Sequence, residues 1–211
     1  MTTENNTALF QSILAYVRDT IFPDLSPTLY YHAAWHTLDD VLPRSEELAR
    51  LEGIDGNSIF LLKVAALFHD TGFTKKYNGN EAIGAELAET ALKMFGFTKE
   101  QILAVRQMIM ATVMSETPGE YLQSAGTAIL EQIICDADLD NLGRDDFLLR
   151  GENLRTELSY YGKVMTDREW YMRQLYFLKS HHYYTESAQR TRNSGKEKNI
   201  ARLNGILETI K

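Results

Sequence analysis

The stretch Val64-Ala65-Ala66-Leu67-Phe68-His69-Asp70-Thr71-Gly72 decides how this chain is read. Five apolar residues run directly into a histidine and an aspartate. A segment this apolar predicts burial, so His69 and Asp70 are carried inward at its end. A buried, charge-bearing, hydrogen-bonding pair is costly unless something satisfies it. A divalent metal ion would do so, because imidazole and carboxylate are both metal ligands.

Outward from this point the chain reads as a succession of helices. Phe10, Ile13, Leu14 and Val17 predict one face of a first helix over about 8–20, stopped by Pro23. Ser26-Pro27 reads as an N-cap with proline at the first helical position, opening a short helix towards His32. A helix over about 35–51 ends near Gly53, with Pro43 breaking or kinking it. Asn57 or Ser58 opens the helix carrying Leu61, Leu62, Ala65, Ala66 and His69, and Gly72 reads as its C-terminal stop. A loop with Lys75, Lys76 and Tyr77 leads to a helix over about 81–94 anchored by Ile83, Leu87 and Leu92. Thr98-Lys99-Glu100-Gln101 reads as a capping box, and Pro118-Gly119 as a turn. A helix over about 126–139 leads through Leu130, Ile133 and Ile134 into Asp136-Ala137-Asp138. Two more follow, over about 145–161 and from a capping box at Thr166. A closing helix carries Ile200, Leu203, Ile206 and Leu207, with a mobile bend expected near Ser194-Gly195. Strand signals are sparse, because Val and Ile fall at helical spacing rather than alternating.

These patterns predict an all-α protein. The 211 residues, 44% of them hydrophobic, suffice for one sizeable core, and no Pro/Gly/Ser-rich linker, repeat or low-complexity tract divides them. The net charge of −7 argues against nonspecific binding to a nucleic acid polymer or an anionic membrane. A small phosphorylated substrate remains compatible, since a local metal and a few lysines can outweigh the global field. Cys135 is the only cysteine, so no intramolecular disulfide forms, and its setting in Ile133-Ile134-Cys135 reads as a small buried hydrophobe. The first residues have neither a basic nor an apolar region of a signal peptide, and no apolar run is long enough to span a bilayer. A cytoplasmic protein is the expectation.

Four residues form the candidate site: His36, His69, Asp70 and Asp138. Each stands at or near one end of an apolar helical segment. Two aspartates offset the charge of a divalent ion, and two neutral imidazoles complete a nitrogen–oxygen set. That set suits zinc, iron, manganese, nickel or cobalt better than calcium, with magnesium also admissible. Four protein ligands on an octahedral ion leave positions for water and substrate, as a catalytic site requires. Taken singly, each residue also has an ordinary reading as a core histidine, a helix-end hydrogen bonder or a cap.

The order His…His-Asp…Asp, with Ala-Leu-Phe-His-Asp-Thr-Gly at 66–72 and Asp-Ala-Asp-Leu-Asp-Asn-Leu-Gly at 136–143, resembles the HD-domain superfamily of metal-dependent phosphohydrolases. The resemblance implies an all-helical HD-domain bundle filling residues 1–211, its core at about 30–143. Helices over about 145–211 then form a C-terminal extension common in small bacterial members. It implies that His36, His69, Asp70 and Asp138 hold the metal, Asp138 rather than Asp136 because the last ligand follows Ala. Tyr31-His32-Ala33-Ala34-Trp35-His36 also resembles the Tyr-His-x-x-x-His stretch of cyclic-nucleotide phosphodiesterases, a branch of the same superfamily. That implies a general-acid role for His32, which as i to the i+4 of His36 would share a helix face with it.

The chain's five histidines are 32, 36, 69, 181 and 182, and 108–112 offers none, so one ion is favoured over two. Glu81 and Glu86 remain as carboxylates for a second ion or a water. Lys75, Lys76 and Arg144 flank the ligands in sequence and are candidates for substrate phosphate. His181-His182 reads as a partly exposed helix end. The expectation is a metal-activated water attacking a phosphomonoester, a nucleotide first among them, with Asp70 orienting or deprotonating the water. A metal-binding regulatory module without turnover and an iron-dependent oxygenase of the same fold are the alternatives. The second normally needs more histidines. A homodimer is left open.

Overall fold

A computed structural model describes residues 3–117, 120–123 and 125–210. The described residues form nine α-helices and one two-stranded hairpin. The expected turn at Pro118-Gly119 lies outside them. Helix α1 spans Thr3–Tyr16 and widens into a π-type turn at Val17–Ile21, and Pro23 sits in the short 3-10 turn that follows. Helix α2 (Leu42–Leu51) continues from a π-type turn at His36–Val41. Pro43 lies in its first turn, where a missing N–H costs least, so the proline opens this segment.

Helix α3 (Gly56–Phe68) is capped by Asp55, which accepts from the amides of Asn57 and Ser58; the cap thus lies two to three residues before the expected one. Phe60, Leu62, Val64, Ala65, Ala66, Leu67 and Phe68 are all buried, so α3 is apolar nearly all round. Beyond its exposed first turn such a helix presents little surface to solvent and takes the centre, packed by α1, α2, α4 (Asn80–Met94), α5 (Lys99–Ala111) and α6 (Ile129–Asp138). Each large side chain buried there contributes about 1.5–3 kcal/mol. Capping boxes at Thr98 and Thr166 open α5 and α8 (Asp167–Ser180) as the sequence predicts. Helix α7 spans Phe147–Tyr160 and α9 spans Glu186–Thr209. One hydrophobic core runs from Phe10 to Leu203 and takes in residues of α8 and α9.

Four expectations are corrected. No helix runs from Pro27 to His32, which lie in turns and bends; a buried acceptor, Glu157, takes the amides of Tyr31 and His32 instead. His32 and His36 therefore share no helix face. Gly72 does not terminate α3 in a left-handed conformation but lies in the 3-10 turn Thr71–Thr74; a Cβ there would stand 1.8 Å from the Asn80 carbonyl oxygen. Helix α9 does not bend at Gly195. That glycine is required because a Cβ would lie 1.9 Å from the Gly143 carbonyl oxygen. Finally, β1 (Met114–Thr117) and β2 (Glu120–Gln123) form an antiparallel hairpin between α5 and α6, pairing Met114 with Gln123. Four-residue strands are too short to show alternation.

Candidate metal centre

His69 caps the end of α3, Asp70 follows it, and Asp138 is the last residue of α6. His36 opens the π-type turn ahead of α2. Two helix C-termini thus meet at one point, and the negative ends of their dipoles favour a cation there. His36 and His69 are buried, and Asp70 and Asp138 are largely so.

The four side chains converge. His36 Nε2 lies 3.0 Å from Asp138 Oδ1 and 3.8 Å from Asp70 Oδ2. His69 Nε2 lies 3.1 Å from Asp70 Oδ2 and 3.5 Å from Asp138 Oδ1. His36, His69 and Asp70 each offer a ligand atom within 4.8 Å of the others. Donors bonded at about 2.1 Å to one ion stand about 3.0–3.4 Å apart in octahedral or tetrahedral array, close to these spacings.

Hydrogen bonding shows what the cluster lacks. His69 Nδ1 donates to the Ala66 carbonyl, so in the neutral ring Nε2 carries a lone pair. That nitrogen and Asp70 Oδ2 are both buried without a hydrogen-bond partner, although they face each other. Acceptor against acceptor in a dry site requires a positive charge between them. With no ion bound, a proton on His69 Nε2 supplies that charge. Burial opposes the charged forms, yet Asp70 and Asp138 hold the His69 imidazole well above its usual range. Against the same cost of burial, the histidines hold the two carboxyls below theirs. The donor set therefore fits a divalent ion in charge, chemistry and spacing.

Asp70, Asp138 and His32 open onto a cavity of about 460 Å³. His32 Nδ1 is 2.5 Å from Glu157 Oε1, which also accepts from the Tyr77 hydroxyl at 2.9 Å. Glu157 Oε2 accepts the Tyr31 and His32 amides at 2.8 and 3.0 Å. Fully buried Glu157 thus fixes the His32 ring with Nδ1 occupied and Nε2 remaining for the cavity. Burial lowers the His32 pKa, but the charge and hydrogen bond of Glu157 outweigh it and raise it. Phe73 stacks on the ring at 4.4 Å between centroids.

Lys75 is exposed and 3.2 Å from Asp24, Lys76 is exposed, and neither lines the cavity. Arg144 is held by Asp40 and Asp146, also outside the lining. The lysine and arginine that do line it are Lys163 and Arg173. Glu81 lines it too; burial, with Asp70 and Asp138 adding their charge, holds its carboxyl above the usual range. Glu86 is exposed. His181 is buried beside Tyr183 and is not part of the lining; His182 is exposed.

Sequence reasoning missed Glu157 and Gln123. Glu157 carries no local signal, because a glutamate on an amphipathic helix reads as solvated surface. Gln123 lies in the unrecognised hairpin and donates to Asp138 Oδ2.

No family model and no curated protein sequence matches the chain. Solved structures of similar shape do. One is a predicted HD superfamily hydrolase from an uncultured Thermotogales bacterium, 20% identical, TM-score 0.58, covering 94% of this chain and 91% of the other. A second is Bacillus subtilis YpgQ in complex with ADP, 17% identical, TM-score 0.67, covering 99% and 97%. A third is Lin1889 from Listeria innocua, 17% identical, TM-score 0.56, covering the whole of both chains. Among the described residues no helix is long and apolar enough to cross a membrane. This chain has the fold of the HD-domain superfamily, the family its sequence resembles.

Proposed function

We propose that this protein is a metal-dependent phosphohydrolase acting on a small phosphomonoester, a nucleotide first among candidates. The observation that carries the reading is the convergence of His36, His69, Asp70 and Asp138 at the wall of an open cavity, with His69 Nε2 and Asp70 Oδ2 left without hydrogen-bond partners. A divalent ion held by these four residues supplies Lewis acidity and lowers the pKa of water.

Asp70 has one oxygen in the cluster and lines the cavity, so it is placed to orient or deprotonate the attacking water. His32, held by Glu157 with a raised pKa, is placed to give a proton to the departing oxygen. Lys163 and Arg173 take the role of phosphate partners expected of Lys75, Lys76 and Arg144, because they line the cavity. Phe73, Tyr77 and Phe177 supply aromatic surface for a base. A neighbouring fold holding ADP supports a nucleotide over a bare phosphomonoester.

The test is a purification without chelator, metal analysis, and phosphate release from a panel of nucleotides and a generic phosphomonoester with Mn²⁺, Co²⁺, Ni²⁺ and Mg²⁺. Release that disappears in Asp70→Ala supports the proposal. One ion per chain with no release from any substrate favours the binding module without turnover. Two irons with oxygen consumption favour the oxygenase. A folded protein that takes up no metal removes the reading altogether.

A further inference from the structure

We propose that Gln123 is the positioning residue of the metal centre, holding Asp138 so that one oxygen stays aimed at the ion. The inference rests on the reading of His36, His69, Asp70 and Asp138 as ligands. Asp138 divides its two oxygens. Oδ1 faces His36 Nε2 at 3.0 Å and His69 Nε2 at 3.5 Å. Oδ2 faces away from them and accepts from Gln123 Nε2 at 2.5 Å. Asp138 is the last residue of α6, where nothing in the helix itself fixes the carboxylate rotation.

The Gln123 amide is held against flipping. Its second N–H donates to the Thr112 carbonyl at 3.1 Å, so both hydrogens meet acceptors. Reversing the amide would set Oε1 against two acceptors and lose both bonds. The side chain is 4% exposed, which keeps water from competing for Asp138 Oδ2. Its backbone is fixed as well: it pairs with Met114 across the hairpin, and its carbonyl accepts the Tyr184 hydroxyl at 2.6 Å. A ligand carboxylate with its outer oxygen bound this way keeps its orientation before the ion arrives. Loss of such partners typically weakens metal binding about 10–100-fold. The hairpin between α5 and α6 then has a purpose in the site: it delivers one amide to one carboxylate.

Calorimetric titration of metal-free protein with Mn²⁺, and the visible spectrum of the Co²⁺ form, test this. Gln123→Met keeps the length and removes both donors. Gln123→Glu keeps the shape and sets an acceptor against Asp138, which guards against a folding defect in the first variant. Both are expected to bind Mn²⁺ about 10–100-fold more weakly, to change the Co²⁺ absorption, and to keep the metal-free circular dichroism. Gln123→Met placed in an Asp138→Asn background is expected to add little, because the effect passes through Asp138. Affinities within threefold of the parent in both single variants, or full additivity with Asp138→Asn, overturn the role of Gln123. A parent protein that binds neither ion overturns the metal centre itself.

Discussion

Two buried carboxylate clusters stand within one turn of chain, and they are built on opposite terms. Asp140 is surrounded by donors: Arg192 meets its two oxygens at 2.7 and 2.9 Å, and Arg44 stands 2.6 Å away. Asp70 and Asp138 face imidazole nitrogens of which one, His69 Nε2, is left without a hydrogen-bond partner, the ring's Nδ1 being spent on the Ala66 carbonyl. In the first cluster both carboxylate oxygens accept from an arginine, and the cluster ties α2 and α9 to the segment after α6. The second is incomplete in one respect, positive charge. Burial alone therefore does not distinguish a structural polar cluster from a functional one. The balance of donors and acceptors does.

That contrast is open to breaking. The largest effect belongs to Asp70→Ala, expected to lower phosphate release by about 10²–10⁴-fold. The metal-free melting temperature is expected to fall only slightly, because Asp70 loses its attraction to the histidines but an oxygen without a hydrogen-bond partner goes with it. A marked loss of stability would show that the ligand cluster is structural after all. Asp140→Ala is expected to do the reverse. It leaves Arg192 facing no carboxylate and Arg44 with Glu47 alone, and costs about 3–5 kcal/mol in denaturant unfolding. The Mn²⁺ affinity of the folded variant should stay within a few-fold of the parent.

A third measurement adds the missing charge. Mn²⁺ at a hundred times its Kd is expected to stabilise the native state by about 2.7 kcal/mol, read as a rise in melting temperature that chelator reverses. Absence of any rise would place the two clusters on the same footing.

The smallest effect sharpens the comparison through histidine. His181 is buried beside Tyr183, with the Lys196 charge near it, and burial first of all lowers its pKa to about 3. The unfolded chain takes up this proton below about pH 6.5 and the native state does not. Stability is thus expected to fall as pH drops from 6.5 towards 3, by at most about 1.4 kcal/mol per pH unit from this group. His181→Phe should flatten that part of the curve in urea melts. His69 moves in the opposite direction because carboxylates face it.

Much of this was legible in sequence because it is local. Capping boxes at Thr98 and Thr166 announce α5 and α8, since the bonding partners lie three residues apart. Apolar runs ending in His69-Asp70 and Asp138 announce two helix ends that carry candidate ligands. Glycine was harder to read. Gly72 and Gly195 look like a stop and a bend, but each is required by a carbonyl oxygen from a distant or neighbouring segment. The hairpin was not legible, because short strands leave no periodic trace.

By itself the sequence determined the helical class and named four candidate donors, because periodicity, capping and motif order are properties of neighbouring residues. Only the tertiary structure decided what surrounds those donors. It brought Glu157 across 125 positions to the His32 ring, Gln123 to Asp138, and Lys163 and Arg173 to the cavity in place of Lys75, Lys76 and Arg144. The reason is physical: a donor's partner is set by chain packing over long separations, and a lone glutamate or glutamine carries no pattern that declares it.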